Sequence, residues 1–265
     1  MSIVVITIPD PAKQEFVYQL QRETDQVSLI IIQSSPPRAW YRTWKDLLHP
    51  THLLFGLWLR LRPAYRTALT WFRAIPTDPP LRPEWPAPTI WTDDVNNHQV
   101  KEKIAEQSPT VIAVWGSGLL DDQITALAPH VVNLHLGVAP DYRGALANQV
   151  AVARGDYGRV GYTIHDVNER ADAGHIIASE TATIHPDPRQ TFSELNRRAR
   201  QQFLDTTISL ATNKPVPRQP QTQNTGHVSR MRDWTPWRRY QLAHRLLTWR
   251  ANGKPPSSSL STFVE

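Results

Sequence analysis

Short runs of β-branched residues alternate with helical segments along most of the chain, and this alternation limits the possible folds more than any other feature. The predicted strands cover residues 3–7, 27–33, 89–91, 110–114, 131–134, 160–165 and 176–184. The predicted helices cover residues 12–22, 97–107, 121–127, 146–154 and 191–211. Strands that alternate with helices are typical of an α/β domain with an open, mostly parallel sheet. We predict one such domain over residues 1–211.

Residues 36–80 interrupt the alternation with a segment rich in Trp, Leu and Arg. Pro50 and Pro63 predict that this segment is divided into three short helices, because proline inside a helix is costly. One interpretation is a helical insertion that packs on the sheet domain. The other is a basic amphipathic surface over residues 38–76 that contacts a membrane, a lipid substrate or a second copy of the chain in a homodimer.

The chain changes character after the last predicted helix of the sheet domain. Lys214–Gln223 is rich in Pro and Gln and has no apolar period, which indicates a linker. Apolar residues then recur at helical spacing over 234–247, which predicts one helix that packs back on the core. We assign 212–253 to this linker and C-terminal helix, and 254–265 to a disordered tail.

Several common functions of this architecture lack their motifs here. Cysteine is absent, which excludes disulfides, thiolate metal sites and a cysteine nucleophile. The first glycine is Gly56, so the turn after the first strand cannot be a glycine-rich phosphate loop. Neither His-Glu-x-x-His nor Gly-x-Ser-x-Gly occurs. These absences argue against a nucleotide-dependent dehydrogenase, an NTPase and a metalloenzyme, and we predict no metal.

The charge and the N-terminus indicate the class of partner and the compartment. The formal net charge of +5 permits an anionic partner but does not by itself indicate nucleic acid. The N-terminus lacks the basic and long apolar segments of a signal peptide. The longest apolar run, Leu53–Leu59, is far shorter than the roughly 18 residues that a membrane span needs. The sequence therefore predicts a cytoplasmic protein.

Polar side chains suited to catalysis gather in the second half of the predicted sheet. Asn133 and His135 lie two residues apart in a strand, so both project from the same face near its carboxyl end. Open α/β sheets bind their ligands at that end. Asp172 follows Asn133 by 39 residues, in a loop after a later strand. An amide, an imidazole and a carboxylate can therefore converge on one reacting carbon.

The order and spacing of these residues resemble those of the folate-dependent formyltransferase family. The matching residues are Asn133, His135, Pro140, the triplet Tyr142-Arg143-Gly144 and the triplet Asp172-Ala173-Gly174, within a resemblance that extends over roughly 85–211. The family includes glycinamide ribonucleotide transformylase, methionyl-tRNA formyltransferase and sugar N-formyltransferases. The resemblance implies a Rossmann-like formyltransferase fold and N10-formyltetrahydrofolate as co-substrate.

The resemblance also implies a role for each site residue. Asn133 and His135 would hydrogen-bond the developing oxyanion, and Asp172 would hold the charge and tautomer of His135 while it moves a proton. The folate would lie against two loops. The implied folate contacts are Ser117, Gly118, Leu119 and Leu120 in the first loop, and His165, Val167, Asn168 and Arg170 in the second. The two leucines are equally compatible with core packing, and His165 also fits a structural role.

The departures from the family pattern concern the formyl acceptor. The glycine-rich loop for a ribonucleotide phosphate is absent, and only 55 residues follow residue 210, too few for the C-terminal domain of the tRNA enzyme. Gly137-Val138-Ala139 replaces the more usual Ser-Leu-Leu, as in members that resemble the sugar enzymes. We expect transfer to a small-molecule primary amine, first an amino sugar that is nucleotide- or lipid-linked, and not to nucleic acid. The alternatives are hydrolysis of formyltetrahydrofolate and a non-catalytic role in folate binding or membrane-associated interaction.

Overall fold

The secondary structure alternates as the sequence predicts, in a computed structural model that describes residues 1–34, 50–72, 78–168, 172–221, 226–230 and 234–257. The strands are β1 (Ile3–Thr7), β2 (Val27–Gln33), β3 (Thr89–Thr92), β4 (Val111–Trp115), β5 (His130–His135), β6 (Tyr142–Gly144), β7 (Gly161–Asp166), β8 (Ile176–Thr181) and β9 (His227–Ser229). The helices are α1 (Pro11–Thr24), α2 (Pro50–Arg60), α3 (Pro63–Ala68), α4 (His98–Gln107), α5 (Asp122–Thr125), α6 (Ala147–Arg154), α7 (Pro188–Ala211) and α8 (Pro236–Asn252).

Seven of these strands form one sheet in the order β3-β2-β1-β4-β5-β7-β8. The first five run parallel, whereas β7 and β8 pair antiparallel with their neighbours. This arrangement confirms the predicted Rossmann-like, mostly parallel α/β fold. The carboxyl ends of β4 and β5 therefore lie side by side at the edge where open sheets of this kind bind ligands.

The central strands are apolar along their whole length because helices cover both faces of the sheet. In β1 all five residues are buried. Ile3 and Val5 join the core that contains α1 and α7, whereas Val4 and Ile6 join the core on the α4 face. This two-residue alternation buries both faces of β1, which is why the strand has no polar face.

The α2–α3 insertion, residues 50–68, contacts the C-terminal helix α8. Pro50 and Pro63 are the first residues of α2 and α3, as expected for proline in the first turn of a helix. The ring of Trp58 lies 5.2 Å from that of Tyr65 and 5.4 Å from that of Tyr240. The first of the three predicted helices, and residues 73–77, lie outside the described residues. Among the residues that the structure describes, no helix combines the length and apolar character needed to cross a bilayer.

The C-terminal helix α8 packs on the sheet domain as predicted. Thr235 caps its start by accepting the Arg238 N–H, and Leu242 and Leu246 are fully buried. Trp249 is also fully buried, and its indole N–H donates to the His185 carbonyl. The expected disordered tail can be compared only up to residue 257, because 258–265 lie outside the described residues.

Two short strands, β6 and β9, pair in parallel apart from the main sheet. The sequence predicts neither, because three residues are too few to show a period. Strand β9 comes shortly after the Pro- and Gln-rich segment that the sequence indicates to be a linker. The pair brings C-terminal residues to the loop after β5, beside the predicted catalytic residues.

Candidate active site

Four polar side chains meet beyond the carboxyl end of β5. We call Asn133, His135, His165 and Asp172 the Asp172 cluster. Asn133 and His135 lie on β5, His165 lies on β7, and Asp172 lies in the turn between β7 and β8. The structure therefore brings together all three residues that the sequence predicts to be catalytic. It also adds His165, which the sequence predicts to contact folate.

Asp172 is the centre of the cluster, and each of its carboxylate oxygens has two close neighbours. Oδ1 lies 3.1 Å from His165 Nε2 and 3.3 Å from Asn133 Nδ2. Oδ2 lies 3.3 Å from His135 Nδ1 and accepts the Gly144 N–H at 2.7 Å. The Asp172 side chain is only 12% exposed, so these contacts replace most of its water.

The sheet register and one tight turn produce this convergence. Asn133 and His165 are directly opposed in the antiparallel β5–β7 pair, which brings the amide and the imidazole together. Asp172 adopts a left-handed backbone conformation, with φ of 51°. At Gly174 a Cβ atom would lie 1.7 Å from the Asp166 carbonyl oxygen, so only glycine allows the turn to pack this closely. The turn thereby directs the Asp172 carboxylate back toward β5.

The hydrogen bonds on the far side of each imidazole determine which of its nitrogens carries a proton. His135 Nε2 lies 2.9 Å from the Tyr142 carbonyl oxygen, and His165 Nδ1 lies 2.8 Å from the Asp166 carbonyl oxygen. A carbonyl oxygen only accepts, so each of these nitrogens carries a proton. The remaining nitrogens, His135 Nδ1 and His165 Nε2, both face Asp172. Proton exchange on His135 therefore occurs beside the carboxylate.

The pKa values indicate an ionised carboxylate next to a neutral imidazole. Burial opposes ionisation of Asp172, but positive charge on His135 and His165 and the hydrogen bond from the Gly144 N–H lower its pKa to about 2. Burial lowers the pKa of His135 below its ordinary value, against the attraction of Asp172 and the Tyr142 carbonyl. At neutral pH His135 can thus accept a proton on Nδ1, beside a negative charge that stabilises the resulting imidazolium.

Asn133 has both amide hydrogens directed into the cluster. Its Nδ2 lies 3.1 Å from His165 Nε2 and 3.3 Å from Asp172 Oδ1. An amide nitrogen has two hydrogens, so both are engaged here. Asn133 must therefore release one of these contacts before it can donate to a developing oxyanion, the role that the resemblance implies. The contact to Asp172 is the longer of the two.

The predicted folate loop, Ser117–Leu120, is fixed at the carboxyl end of β4 by two side chains. The Gly118 N–H donates to Gln33 Oε1 at 2.7 Å, and Asn96 Nδ2 donates to the Leu119 carbonyl at 2.9 Å. The two leucines of the loop differ: Leu119 is 62% exposed, whereas Leu120 is buried in the core on the α4 face. Leu120 therefore packs in the core, and Leu119 is the leucine of this loop that is exposed to solvent.

The other predicted folate contacts lie along the segment that follows β7. Val167 packs against the same core as Leu120, and its N–H donates to the Val131 carbonyl at 2.8 Å. Asn168 is exposed, Ser117 is half-buried, and Arg170 lies outside the described residues. The structure thus brings Leu120 and Val167 to one apolar cluster, and places His165 with the predicted catalytic residues.

Three groups at the site are missing from the sequence-based prediction. Two are backbone atoms, the Tyr142 carbonyl and the Gly144 N–H, which contact His135 and Asp172 directly. The third is the amide of Gln221, which contacts the Asp172 turn. The Tyr-Arg-Gly triplet is a signal for the first two, whereas a glutamine in a linker gives none for the third. No group of three or more His, Asp or Glu side chains in the described part of the chain is arranged to hold a metal ion.

Comparison with known proteins gives one family and a set of similar folds. The family model described as formyl transferase matches residues 69–209, which is more than half of the chain and includes the whole Asp172 cluster. A sugar N-formyltransferase from a Shewanella species superposes with a TM-score of 0.57 and 14% identity, over 88% of this chain and 78% of that one.

Two further solved structures show the same similarity of fold. A 4-N formyltransferase from Francisella tularensis has a TM-score of 0.55 and 12% identity, over 88% of this chain and 78% of that one. A phosphoribosylglycinamide formyltransferase from Bacillus halodurans has a TM-score of 0.52 and 18% identity, over 79% of this chain and 95% of that one. At these identities the likeness extends to the fold alone.

Proposed function

Because this chain belongs to the formyl transferase family, we propose that it transfers a formyl group from N10-formyltetrahydrofolate to a primary amine, and that an amino sugar is the first acceptor to test. The observation that carries the proposal is the convergence of Asn133, His135 and Asp172 on one another at the carboxyl end of β5. An amide donor, a neutral imidazole and a buried carboxylate are the groups that acyl transfer to an amine requires.

The folate would bind between the Ser117–Leu120 loop and the segment after β7. N10-formyltetrahydrofolate supplies the formyl group. The exposed side chain of Leu119 offers an apolar contact to a flat heteroaromatic ring, and Leu120 and Val167 anchor the two loops in the core on the α4 face. Ligand sites commonly combine such apolar lining with a few polar groups from backbone and side chains. The residues present therefore fit a pterin.

His135 would remove the proton that the amine loses on attack. Its Nδ1 is the nitrogen that can titrate, because Nε2–H donates to the Tyr142 carbonyl. The new Nδ1–H would lie beside Asp172 Oδ2, which is 3.3 Å away in the present geometry. Proton transfer by a positioned side chain contributes about 10²- to 10⁴-fold to a reaction rate.

Asn133 would donate to the formyl oxygen as negative charge develops there. We propose that it exchanges its contact with Asp172 for this new one, because that contact is the longer of the two. The contact with His165 then keeps the amide oriented. Removal of a single donor of this kind from an active site costs about 10²- to 10³-fold in turnover.

Gly137 packs against the Nε2 side of His135. A Cβ at residue 137 would lie 2.4 Å from His135 Nε2 and 2.4 Å from the Ala147 Cβ, which explains why this chain has glycine there. The glycine therefore lets Nε2 reach the Tyr142 carbonyl, which leaves Nδ1 as the nitrogen that takes the amine proton. The amino sugar remains the first acceptor to test, because Gly137-Val138-Ala139 departs from the Ser-Leu-Leu type.

We also propose that the α2–α3 insertion contacts a membrane surface with anionic lipids, which would suit a lipid-linked acceptor. Leu54, Leu57 and Leu61 are 67%, 52% and 71% exposed and follow a helical period. The exposed residues Arg60 and Arg62 lie among them. An apolar stripe bordered by cations suits the interface of an anionic bilayer.

The experiment that tests the proposed function follows formyl release from N10-formyltetrahydrofolate with a panel of amines. The panel contains amino sugars, their nucleotide-linked forms, amino acids and lipid amines. The matched variants are Asp172→Asn and Asp205→Asn; Asp205 is an exposed carboxylate on α7 that accepts from Gln201. Amine-dependent turnover that Asp172→Asn loses and Asp205→Asn keeps would support the transferase.

The other outcomes identify the two alternatives. Release of formate at the same rate with and without every amine would make the protein a formyltetrahydrofolate hydrolase. Folate binding without any turnover would favour a non-catalytic binding protein. In that case His135→Ala would leave the biological activity unchanged, whereas the transferase and the hydrolase both require His135.

A further inference from the structure

Residues 218–221, within the predicted linker, are fixed to the two strands that flank the Asp172 turn. Gln219 and Ile176 exchange two backbone hydrogen bonds, each 2.8 Å long. Arg218 Nε donates to Asp166 Oδ2 at 2.8 Å, and Asp166 is the last residue of β7. The segment therefore continues the sheet beside the start of β8, and a flexible spacer would not make these bonds.

Gln221 follows this bridge and reaches the turn with its side chain. Its Nε2 donates to the Asp172 carbonyl at 2.9 Å and to the Gly174 carbonyl at 2.8 Å. Both neighbours are carbonyl oxygens, which only accept, so the nitrogen end of the amide must face them and both of its hydrogens are used. One side chain thus ties together the backbone on either side of Ala173, in the turn where Asp172 has a left-handed φ of 51°.

We propose that Gln221 is a positioning residue for formyl transfer, which fixes the backbone of the turn so that the Asp172 carboxylate stays against His135 and Asn133. This role presupposes the proposed function. Gln221 bonds to the carbonyl side of the turn, whereas the Gly144 N–H bonds to the carboxylate. Asp172 is therefore held from two sides, and the loss of one would let the carboxylate move within its pocket.

Residues that follow the sheet domain also support Gly144, the residue whose N–H bonds to the Asp172 carboxylate. Strand β9 pairs with β6, and the Ala145 N–H donates to the Ser229 carbonyl at 2.9 Å. A Cβ at Gly144 would lie 2.2 Å from that Ser229 oxygen, so the two strands are in close contact at the residue that donates to Asp172. Residues beyond the sheet domain thus contact both backbone segments that hold the carboxylate.

The test compares Gln221→Met with Gln219→Met. Methionine keeps the length of the side chain but has no N–H donor, and the exposed Gln219 side chain provides a matched control in the same segment. We expect Gln221→Met to lower kcat by about 10- to 100-fold with little change in KM, because small misplacements of a reacting group cost rates of that order. In an Asp172→Asn background Gln221→Met should cause no further loss. Two results would overturn the proposal. One is a double variant in which Gln221→Met lowers kcat as much as it does alone, and the other is a loss of kcat in Gln219→Met equal to that in Gln221→Met.

A second readout does not depend on turnover. NMR titration of the imidazoles, with the His135 signal assigned by its loss in His135→Asn, measures how strongly Asp172 acts on His135. Since Asp172 raises the pKa of His135 against the effect of burial, a carboxylate that moves away should lower that pKa further. We expect a lower His135 pKa in Gln221→Met and the wild-type value in Gln219→Met.

The titration also separates failure of this role from failure of the proposed function. If the wild-type protein turns over no amine, the proposed function fails, while the His135 pKa still reports whether Gln221 positions Asp172. A wild-type His135 pKa in a folded Gln221→Met protein would overturn the role. Failure of Gln221→Met to fold while Gln219→Met folds would assign the residue to stability and would overturn it too.

Discussion

The Asp172 cluster and the α2–α3 insertion are held to the sheet domain in opposite ways. The cluster is buried, and the Asp172 carboxylate lies within 3.3 Å of polar groups from β5, β6 and β7. The insertion attaches through aromatic contacts of Trp58 and leaves Leu54 and Leu57 to solvent. The positions of the polar atoms in the cluster are therefore tightly constrained. On the insertion, the type of exposed side chain matters more than its exact position.

This difference predicts how substitutions in the two regions should affect turnover and binding. Removal of one polar group from the cluster leaves its buried partner without a hydrogen bond, and this lowers the stability of the folded protein. An exposed leucine on the insertion can change without such a cost. Substitutions in the cluster should therefore change turnover, and substitutions in the insertion should change only where the protein binds.

The largest effect is expected for Asp172→Asn. The amide keeps the shape of the side chain but removes the charge that stabilises protonated His135. We expect kcat to fall by about 10²- to 10⁴-fold, the range of general acid–base catalysis. Steady-state assays with the best amine of the panel measure this loss. A fall of less than about threefold, with normal folding by circular dichroism, would contradict the role of the cluster.

A glycine-to-alanine exchange in each region should have opposite effects on stability. Gly174→Ala places a Cβ 1.7 Å from the Asp166 carbonyl oxygen, and such overpacking costs about 1–3 kcal/mol. Gly56→Ala in α2 meets no atom within 4 Å and should stabilise the helix by roughly 0.5–1 kcal/mol. Denaturant unfolding measures the free energy of unfolding of both variants. Equal changes in the two would contradict the difference in packing between the two regions.

A smaller effect is expected on the pH dependence of stability. Burial lowers the pKa of His135 in the folded protein below its ordinary value of 6.5, so the unfolded chain binds the proton more readily. The free energy of unfolding should therefore fall as the pH falls below about 6.5. His135→Asn should flatten this fall between pH 7.5 and pH 5. Identical slopes in the wild type and in His135→Asn would contradict a neutral, buried His135.

The smallest effect on turnover is expected in the insertion. Leu57→Gln should leave kcat for a soluble amine unchanged, because Leu57 is exposed and distant in sequence from the cluster. It should lower partition onto vesicles that contain phosphatidylglycerol by roughly tenfold, because one leucine is no longer buried in the bilayer. Vesicle sedimentation measures the partition, with phosphatidylcholine vesicles as the control. Equal binding of both proteins to both vesicles would reject the membrane contact.

The sequence predicts well the parts of the fold that have a period or a continuous apolar run. The bounds of β1 and β2 agree with the prediction at both ends, because runs of β-branched residues between turn residues identify buried strands. Asn133, His135 and Asp172 can be assigned to one site from the sequence, because their order and spacing match a known motif. These features depend on side-chain identity at fixed separations.

The features that the sequence does not predict are contacts of backbone atoms and of residues far apart in the chain. The pairing of β6 with β9 and the bonds of Gln221 leave no period in the sequence. The motif implies a folate contact for His165, yet the proximity of this histidine to Asp172 follows from the register of β5 with β7. Register is fixed by the whole sheet, so it cannot be inferred from a local motif.

In the proposed mechanism neutral His135, supported by ionised Asp172, accepts the amine proton during formyl transfer. The pH dependence of single-turnover transfer to an amine, in wild type and in Asp172→Asn, tests it most directly. Since Asp172 raises the pKa of His135, we predict a lower plateau in Asp172→Asn and a fall of the rate with acid that begins at lower pH than in wild type. The same plateau and the same acid limb in both proteins would contradict this mechanism.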